Sequence, residues 1–359
     1  MELKELSNNS ALWLSGAADV DGMVVSCRAR LARNLATPVF AAKATEADQD
    51  YVIEKVIGAA QGSRHLRDAI FFKMTGLDKS ERRLLVERHL ISPALADGAG
   101  QRGLLFNREE SLSVMINEED HLRLQAILPG LQPEAAWRQV DAMDDSLAAR
   151  LDYAYSEEWG YLTACPTNVG TGLRMSVLIH LPALVLADDM ERILRGLAQM
   201  SFTVRGFYGE GTNALGNLFQ ISNQATLGRS EEEIGAHLTE LTQKLVESER
   251  DAQDSLLREA RSQVEDKIWR AYGILAHARV LSSQEFMNLL SAVRLGYTLG
   301  LIKELPSSFM NQLMIVTQPS HLQAAARREL EPEERDVIRA GIVRQHMEKY
   351  TSNNQAGTA

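Results

Sequence analysis

Four short segments each set an arginine beside glycine, acid or small-residue turn chemistry: SCRARLARN at 26–34, NEEDHLR at 117–123, NVGTGLR at 168–174 and VRGFYGEG at 204–211. Any one of these arginines alone reads as a solvated surface cation. Together they read as a cradle for several phosphate oxygens, because the planar guanidinium fork binds two such oxygens at once. The run Asn117-Glu118-Glu119-Asp120 places three acids directly after an alternating stretch. It is either a solvated turn or a cleft edge from which one carboxylate orients or deprotonates a nucleophile. Glu210, between Gly209 and Gly211, offers a further carboxylate from a loop. Cys165, just before Pro166, is either a small buried apolar residue or an activated thiolate. The sequence has no GxxxxGK[ST] phosphate loop, no HExxH, no GxSxG and no HRD or DFG pair, so a triphosphate needs another device such as the arginines.

The elements around these residues must bring them together. Leu112, Val114 and Ile116 alternate with Ser111, Ser113 and Asn117, the pattern of a half-buried strand. Met175 to Leu181 and Leu218 to Ser222 read the same way, and Phe202 to Phe207 reads as a strand running into a glycine-containing loop. On such a strand Cys27 alternates away from Arg28 and Arg30. Helical stretches at Glu134 to Leu151 and Asp188 to Met200 interleave without a regular βαβ repeat. That mixture predicts an α+β fold, a mainly antiparallel sheet flanked by helices. From Ser230 the texture changes. Ser230 with Glu233 forms a capping box, followed by Ile234, Leu238, Leu241 and Leu245, then Leu257, Ala260, Val264 and Ile268, all at helical spacing. Ser282 with Glu285 opens another helix, and Pro319 and Pro332 punctuate later ones. The expected domains are a catalytic one over 20–254 and an all-helical one over 255–350.

In 359 residues, 38 Lys and Arg oppose 48 Asp and Glu, a formal net charge of −10. That balance argues against coating nucleic acid, which asks for a basic face, and requires any anion to be held by a local arginine cluster. Two cysteines, Cys27 and Cys165, form no CxxC pair and suit a reducing compartment. Residues 1–20 lack a signal-peptide pattern, and no apolar stretch reaches membrane-spanning length. The expectation is a soluble, cytoplasmic protein.

The blocks NEEDHLR and TACPTNVGTGLR resemble signature segments of the ATP:guanido phosphotransferases, the superfamily of creatine and arginine kinases. ERHLISP (87–93), VRGFYGEGTNALGNLFQISNQ (204–224), TQPSHLQ (317–323) and RDVIRA (335–340) are similar to the bacterial protein arginine kinase branch, of the McsB type. The resemblance spans about 20 to 350. It implies that Arg28, Arg30, Arg123, Arg174 and Arg205 hold nucleotide phosphates and that His89 contacts the nucleotide. The nucleotide segments it implies are Ser26 to Arg30 (with Cys27 and Ala29), Arg174 to Leu178 (with Met175, Ser176 and Val177) and Arg205 to Glu210 (with Gly206, Phe207, Tyr208 and Gly209). Cys27 stands where a serine is commoner.

The resemblance further implies that Glu119, with Glu118 beside it, grips the substrate guanidinium. Glu210 then supplies a second carboxylate and Cys165 lies beside the guanidinium. Arg335, Asp336 and Arg339 correspond to a phosphoarginine-binding allosteric motif. ATP is the implied phosphoryl donor. Mg²⁺ would come with it, since no cluster of metal-ligating residues is visible in the sequence. Small-guanidine kinases of the superfamily carry a helical domain before their first arginine motif. Here that motif begins at Ser26 and the helical domain follows instead. An uncovered cleft admits an arginine presented on a protein, so protein substrates with exposed arginines are expected. A kinase of free arginine and a non-catalytic phosphoarginine-binding adaptor are the alternatives. The branch also implies a dimer or higher oligomer, a McsA-like activator, a Clp-type ATPase–protease that degrades tagged proteins, and a role in stress response and protein quality control.

Overall fold

The computed structural model describes residue 6, residues 9–207 and residues 214–356, the last six of these as backbone only. The chain opens with the ten-residue strand β1 (Val24–Arg33), helix α1 (Glu46–Gln61), β2 (Ile70–Lys73), α2 (Lys79–Glu87) and α3 (Pro93–Asp97). Strands β3 (Gly103–Phe106), β4 (Leu112–Ile116) and β5 (Leu122–Pro129) follow, then α4 (Pro133–Ala148) and a small hairpin of β6 (Tyr155–Ser156) and β7 (Gly160–Tyr161). Next come β8 (Leu173–His180), α5 (Pro182–Leu186), α6 (Met190–Gln199), β9 (Phe202–Gly206) and β10 (Leu218–Asn223). Five helices complete the chain: α7 (Glu231–His277), α8 (Ser283–Thr298), α9 (Ser307–Val316), α10 (Pro319–Ala326) and α11 (Pro332–Ala356).

Eight strands make one sheet in the order β2-β3-β4-β5-β1-β8-β10-β9, with every pairing antiparallel. One face is apolar but for the buried Arg33–Asp144 pair at its edge. Cys27, Ala29 and Leu31 of β1, Leu122, Leu124 and Ala126 of β5, and Met175, Val177 and Ile179 of β8 pack there against α1, α4 and the first half of α7. The helix starts are locally encoded: Thr45 with Asp48, Asp78 with Glu81, and Ser230 with Glu233 form reciprocal capping boxes that satisfy first-turn N–H groups. The other face is covered only at its flanks. Leu104, Phe106 and Met115 are roofed by α2 and α3, while Val25, Ile127, Leu178 and Leu218 meet the C-terminal helices and Trp13. The middle of that face is left to the polar residues of β1, β5 and β8.

This two-sided cover explains where the half-buried reading of β4 departs from the structure. All five of its residues are buried, with Val114 facing the main core and Met115 the α2–α3 cluster. The expected domain division at 254/255 falls inside α7, which runs for 47 residues and leaves helical geometry at Ala260 (φ −142°, ψ 35°).

Candidate active site

The register of the central strands puts the sequence-distant arginines side by side. Arg28 is paired with Ile127 of β5 and Ser176 of β8, and Arg30 with Gln125 and Arg174. Cross-strand partners share a face, so Arg28, Arg30 and Arg174 lie together in the uncovered middle, with Arg123 two residues from Gln125 along β5. On β10, Gln220 and Ser222 continue the row, and Gln220 pairs with Arg205 of β9. Arg174 donates from Nη2 to Ser222 Oγ (3.0 Å) and Thr203 Oγ1 (3.3 Å), which holds it flat against the sheet. Cys27, Ala29, Met175 and Val177 point the other way, into the apolar core, so of those segments their backbone alone borders the site. Burial pushes the Cys27 thiol up to about 12, which makes it an inert core residue.

The electrostatics say what this face lacks. Burial and the neighbouring Arg174 and Arg123 push the Arg28 guanidinium down to about 10. Arg30 is driven well below its ordinary range by burial and by Arg28, Arg123 and Arg174, and Arg174 is lowered by burial, Arg205 and Arg123. Half-buried cations that repel one another are costly unless an anion joins them. The face is therefore built for a polyanion.

At one end of the row stands an aromatic recess. The His89 ring lies between Phe207 (centroids 4.8 Å, 32°) and Trp13 (5.3 Å, 78°), above Ser26, Arg28, Ser176 and Leu178. Burial and the charges of Arg28 and Arg30 push the His89 imidazole down to about 3, keeping the ring neutral. Its backbone adopts φ +60° at the end of α2, and its carbonyl accepts from Gln125 Nε2 (2.8 Å), which fixes the ring over the sheet. The neutral, aromatic-walled recess beside the arginine row offers ring faces of the kind on which a purine base stacks.

At the other end are the carboxylates. The β4–β5 turn carries Glu118 and Glu119, and the Arg123 guanidinium bridges them, Nη1 to Glu118 Oε2 at 2.7 Å and Nη2 to Glu119 Oε2 at 3.0 Å. Glu118 is buried and accepts a short hydrogen bond from Ser92 Oγ, whereas the Glu119 side chain is 45% exposed. The turn already holds a guanidinium, its own. Asp120, buried, ties it to the cysteine loop: Oδ1 accepts from Ala164 N (2.6 Å) and from Asn34 Nδ2 (2.6 Å). Asn34 Oδ1 in turn accepts from His121 N (2.8 Å). The cysteine loop is thus moored to the turn that carries Glu119, and Cys165 Sγ lies 3.0 Å from Thr167 Oγ1. Gly172 (φ +66°) lets this loop press on β1, where a Cβ would meet Ala32 O at 2.7 Å.

Arg205, on the edge strand, is exposed, and Gly206 and Phe207 follow it at the mouth of the aromatic recess. Tyr208, Gly209 and Glu210 lie outside the described residues. Arg335, Asp336 and Arg339 are not part of this face. They sit on α11, where Arg339 is buried and donates to Thr317 O (3.1 Å), Leu281 O (2.7 Å) and Asp336 Oδ1. The guanidinium expected to meet a ligand phosphate is committed inside the chain, and Asp336 is its partner. Sequence reasoning passed over Trp13, Asn34, Ser92 and the structural use of Asp120. SCRARLARN, NEEDHLR and ERHLISP contain Asn34, Asp120 and Ser92, and Trp13 lies outside every quoted segment.

An arginine-lined sheet face between an aromatic recess and paired carboxylates is the arrangement a phosphotransferase for guanidino compounds needs. Solved structures share the fold: lombricine kinase (TM-score 0.57, 25% identity, 70% of this chain and 76% of that one) and the duplicated taurocyamine kinase from Schistosoma mansoni with bound transition state analog components (TM-score 0.59, 24% identity, 68% of this chain and 36% of that one). Residues 51–252 match the ATP:guanido phosphotransferase C-terminal catalytic domain, and 261–358 match the protein-arginine kinase McsB C-terminal domain. Relatives named protein-arginine kinase include those of Halothermothrix orenii (46% identical, covering 96% of this chain and 99% of the relative) and Moorella thermoacetica (48%, 95% and 98%). The chain belongs to the ATP:guanido phosphotransferase family, in its protein-arginine kinase branch. Among the described residues no helix is long and apolar enough to cross a membrane.

Proposed function

We propose that the protein transfers the γ-phosphoryl group of ATP to arginine side chains of proteins. The observation that carries the reading is the convergence of Arg28, Arg30, Arg123 and Arg174 on one sheet face that ends at Glu118 and Glu119. In this reading Trp13, His89 and Phe207 enclose the base, and Arg28, Arg30, Arg174 and Arg205 hold the phosphates. Arg123 stands between phosphates and carboxylates. A free guanidinium has a pKa above about 12, so its nitrogen needs a proton acceptor before it can attack phosphorus. The fork of Glu119, braced by Glu118, aligns the guanidinium and takes that proton as the N–P bond forms and the bond to ADP breaks. Cys165 lies on the opposite flank, placed by Asp120, and Glu210 is assigned the second grip. Phosphoryl transfer is mainly positioning and charge stabilisation, which rigid arginines on strands provide.

The residues fit a nucleotide carrying its own metal: the phosphate face is made of arginines and hydroxyls, and among the described residues no three His, Cys, Asp or Glu converge. Mg²⁺ bound to ATP would neutralise charge on the β- and γ-oxygens. The reading extends to catalytic and helical domains over 20–254 and 255–350, a cytoplasmic setting, and assembly as a dimer or larger oligomer. A McsA-like activator and a Clp-type protease that degrades the tagged proteins complete it. Asp336, with Arg335, is assigned to phosphoarginine sensing, which requires Asp336 to exchange Arg339 for the ligand's guanidinium.

Incubation with ATP, Mg²⁺ and either an unfolded protein or free arginine tests the core of this reading. Acid-labile phosphate on the protein supports it. Phosphate on free arginine alone marks a small-guanidine kinase, and phosphate on neither marks a binding protein.

A further inference from the structure

The β6–β7 hairpin carries large aromatic side chains that the phosphoryl-transfer reading leaves unused. Tyr155 is 59% exposed and Trp159 49%, both beside the turn acids Glu157 and Glu158. The hairpin is firmly seated despite its size. The Tyr161 ring lies edge-on to Tyr155 at 5.3 Å, and the Arg33 guanidinium sits 3.4 Å over it. Arg33 is itself buried and paired with Asp144 at 2.8 Å. Tyr161 N donates to Gly170 O (2.9 Å) and Leu162 N to Ala154 O (2.9 Å). Leu162 O accepts from Asn34 Nδ2 (3.1 Å), the amide that also binds Asp120.

Between this hairpin and the start of α7 runs an open groove of about 450 Å³. Its walls are Tyr155, Trp159 and Tyr161 together with Glu158, Glu231 and Glu233. The wall's arginine, Arg229, is drawn aside to His237 (Nη1 to Nδ1, 3.0 Å). Aromatic faces rimmed by carboxylates attract ammonium and guanidinium groups and repel acids. Held rigid, they bind without an ordering penalty. Tyr161 and Cys165 are four positions apart, a reach of at most about 14 Å at ~3.5 Å per residue. Three or four residues of an extended polypeptide span about the same distance, which sets the spacing between a target arginine and the segment the groove can hold.

We propose that this groove docks the basic segment flanking the target arginine of a polypeptide substrate. The proposal rests on the protein-kinase reading above and says which polypeptides that site prefers. The test uses two peptides with a single arginine, one with lysines three and four positions from it and one with glutamates there. Free arginine is the third substrate. The wild-type protein should show a KM about tenfold lower for the lysine peptide. Tyr155→Ser with Trp159→Ser, or Glu158→Lys alone, should erase that preference by raising the lysine-peptide KM. The KM for ATP and the rate on free arginine, where present, should stay within twofold. Because these side chains are exposed, the variants should melt with the wild type.

A variant that keeps the preference, or a wild type with none, overturns the docking proposal while leaving protein phosphorylation in place. Phosphate on free arginine but on neither peptide overturns the protein-kinase reading as well. A change of assembly size in light scattering on Trp159→Ser would assign the groove to a second copy of the chain, against the proposal.

Discussion

Glu119→Gln separates chemistry from folding more cleanly than any other change at the carboxylate turn. The side chain is 45% exposed and its one ion pair, 3.0 Å to Arg123, is shared with buried Glu118. Losing a half-exposed pair costs at most about 1 kcal/mol, or ~1–2 °C of melting temperature in a chain of this size. Arg28, Arg30 and Arg174 are untouched, so nucleotide affinity should stay within about threefold, an allowance for the altered field. The rate is another matter. An amide neither takes a proton nor offers a second anionic oxygen to the guanidinium, and removing a positioned base costs about 10²–10⁴ in rate. That is roughly 3–5 kcal/mol of transition-state stabilisation. The assay is acid-labile phosphate transfer at saturating ATP, with calorimetric ADP titration and thermal melting on the same preparation. Turnover above about a tenth of wild type would remove Glu119 from the mechanism. A large fall in melting temperature would show that the turn is structural. Glu118→Gln is the control of opposite design: buried and bonded to Ser92, it should lose both rate and stability.

Arg174→Met should weaken ADP binding by roughly ten- to a hundredfold, the worth of a charge-assisted contact to phosphate, and leave stability nearly unchanged; an unaltered Kd in calorimetry would deny it the phosphate role. Glu249, buried at the first turn of α5 where it accepts from Ala183 N and Leu184 N, has its carboxyl pushed up to about 7, chiefly by burial. The folded chain therefore keeps a proton that the unfolded chain releases, and this group's contribution, full below about pH 4.5, is lost as pH rises through 7. Urea melts of wild type and Glu249→Gln should converge or cross by about 3 kcal/mol between pH 5 and 8; parallel curves would refute the linkage. Arg339→Ala strips the partners of two backbone carbonyls and should destabilise by about 2–5 kcal/mol, whereas Asp336→Ala should cost about 1 or less; equal midpoints in denaturant would show that Arg339 is not a pin.

Alternation made part of the site legible in advance. In SCRARLARN the parity that sends Arg28 and Arg30 to one face sends Cys27 and Ala29 to the other, and β1 obeys it. The antiparallel sheet, the capping box at Ser230 and the helical C-terminal region were readable for the same reason: they rest on spacing within one segment. What depends on meetings across the chain was not. Asn34 and Asp120 look like surface polar residues until His121 N, Ala164 N and Leu162 O are seen to converge on them. Arg339 reads only as the last arginine of RDVIRA, yet its guanidinium is buried between α9 and the turn before α8. Trp13 carries no local signal at all, because its use arises only where His89, 76 positions later, folds against it.

Helix α10 does not own the residue that starts it. Its first-turn amides, Ser320 N and His321 N, donate to the carboxylate of Glu87 at the end of α2, 233 and 234 positions earlier, and the His321 ring closes on the same carboxylate at 2.8 Å. The C-terminal helices are consequently not a portable module. Grafted onto another kinase, or expressed from 255 onward, they would arrive with α10 uncapped, and the donor would keep Glu87 facing water. The dependence also runs toward the aromatic recess, for Glu87 and Arg88 immediately precede His89, and Arg88, paired with buried Glu110, reaches His321 Nε2 at 3.4 Å. Whatever unseats α10 tugs on the residue next to the His89 ring.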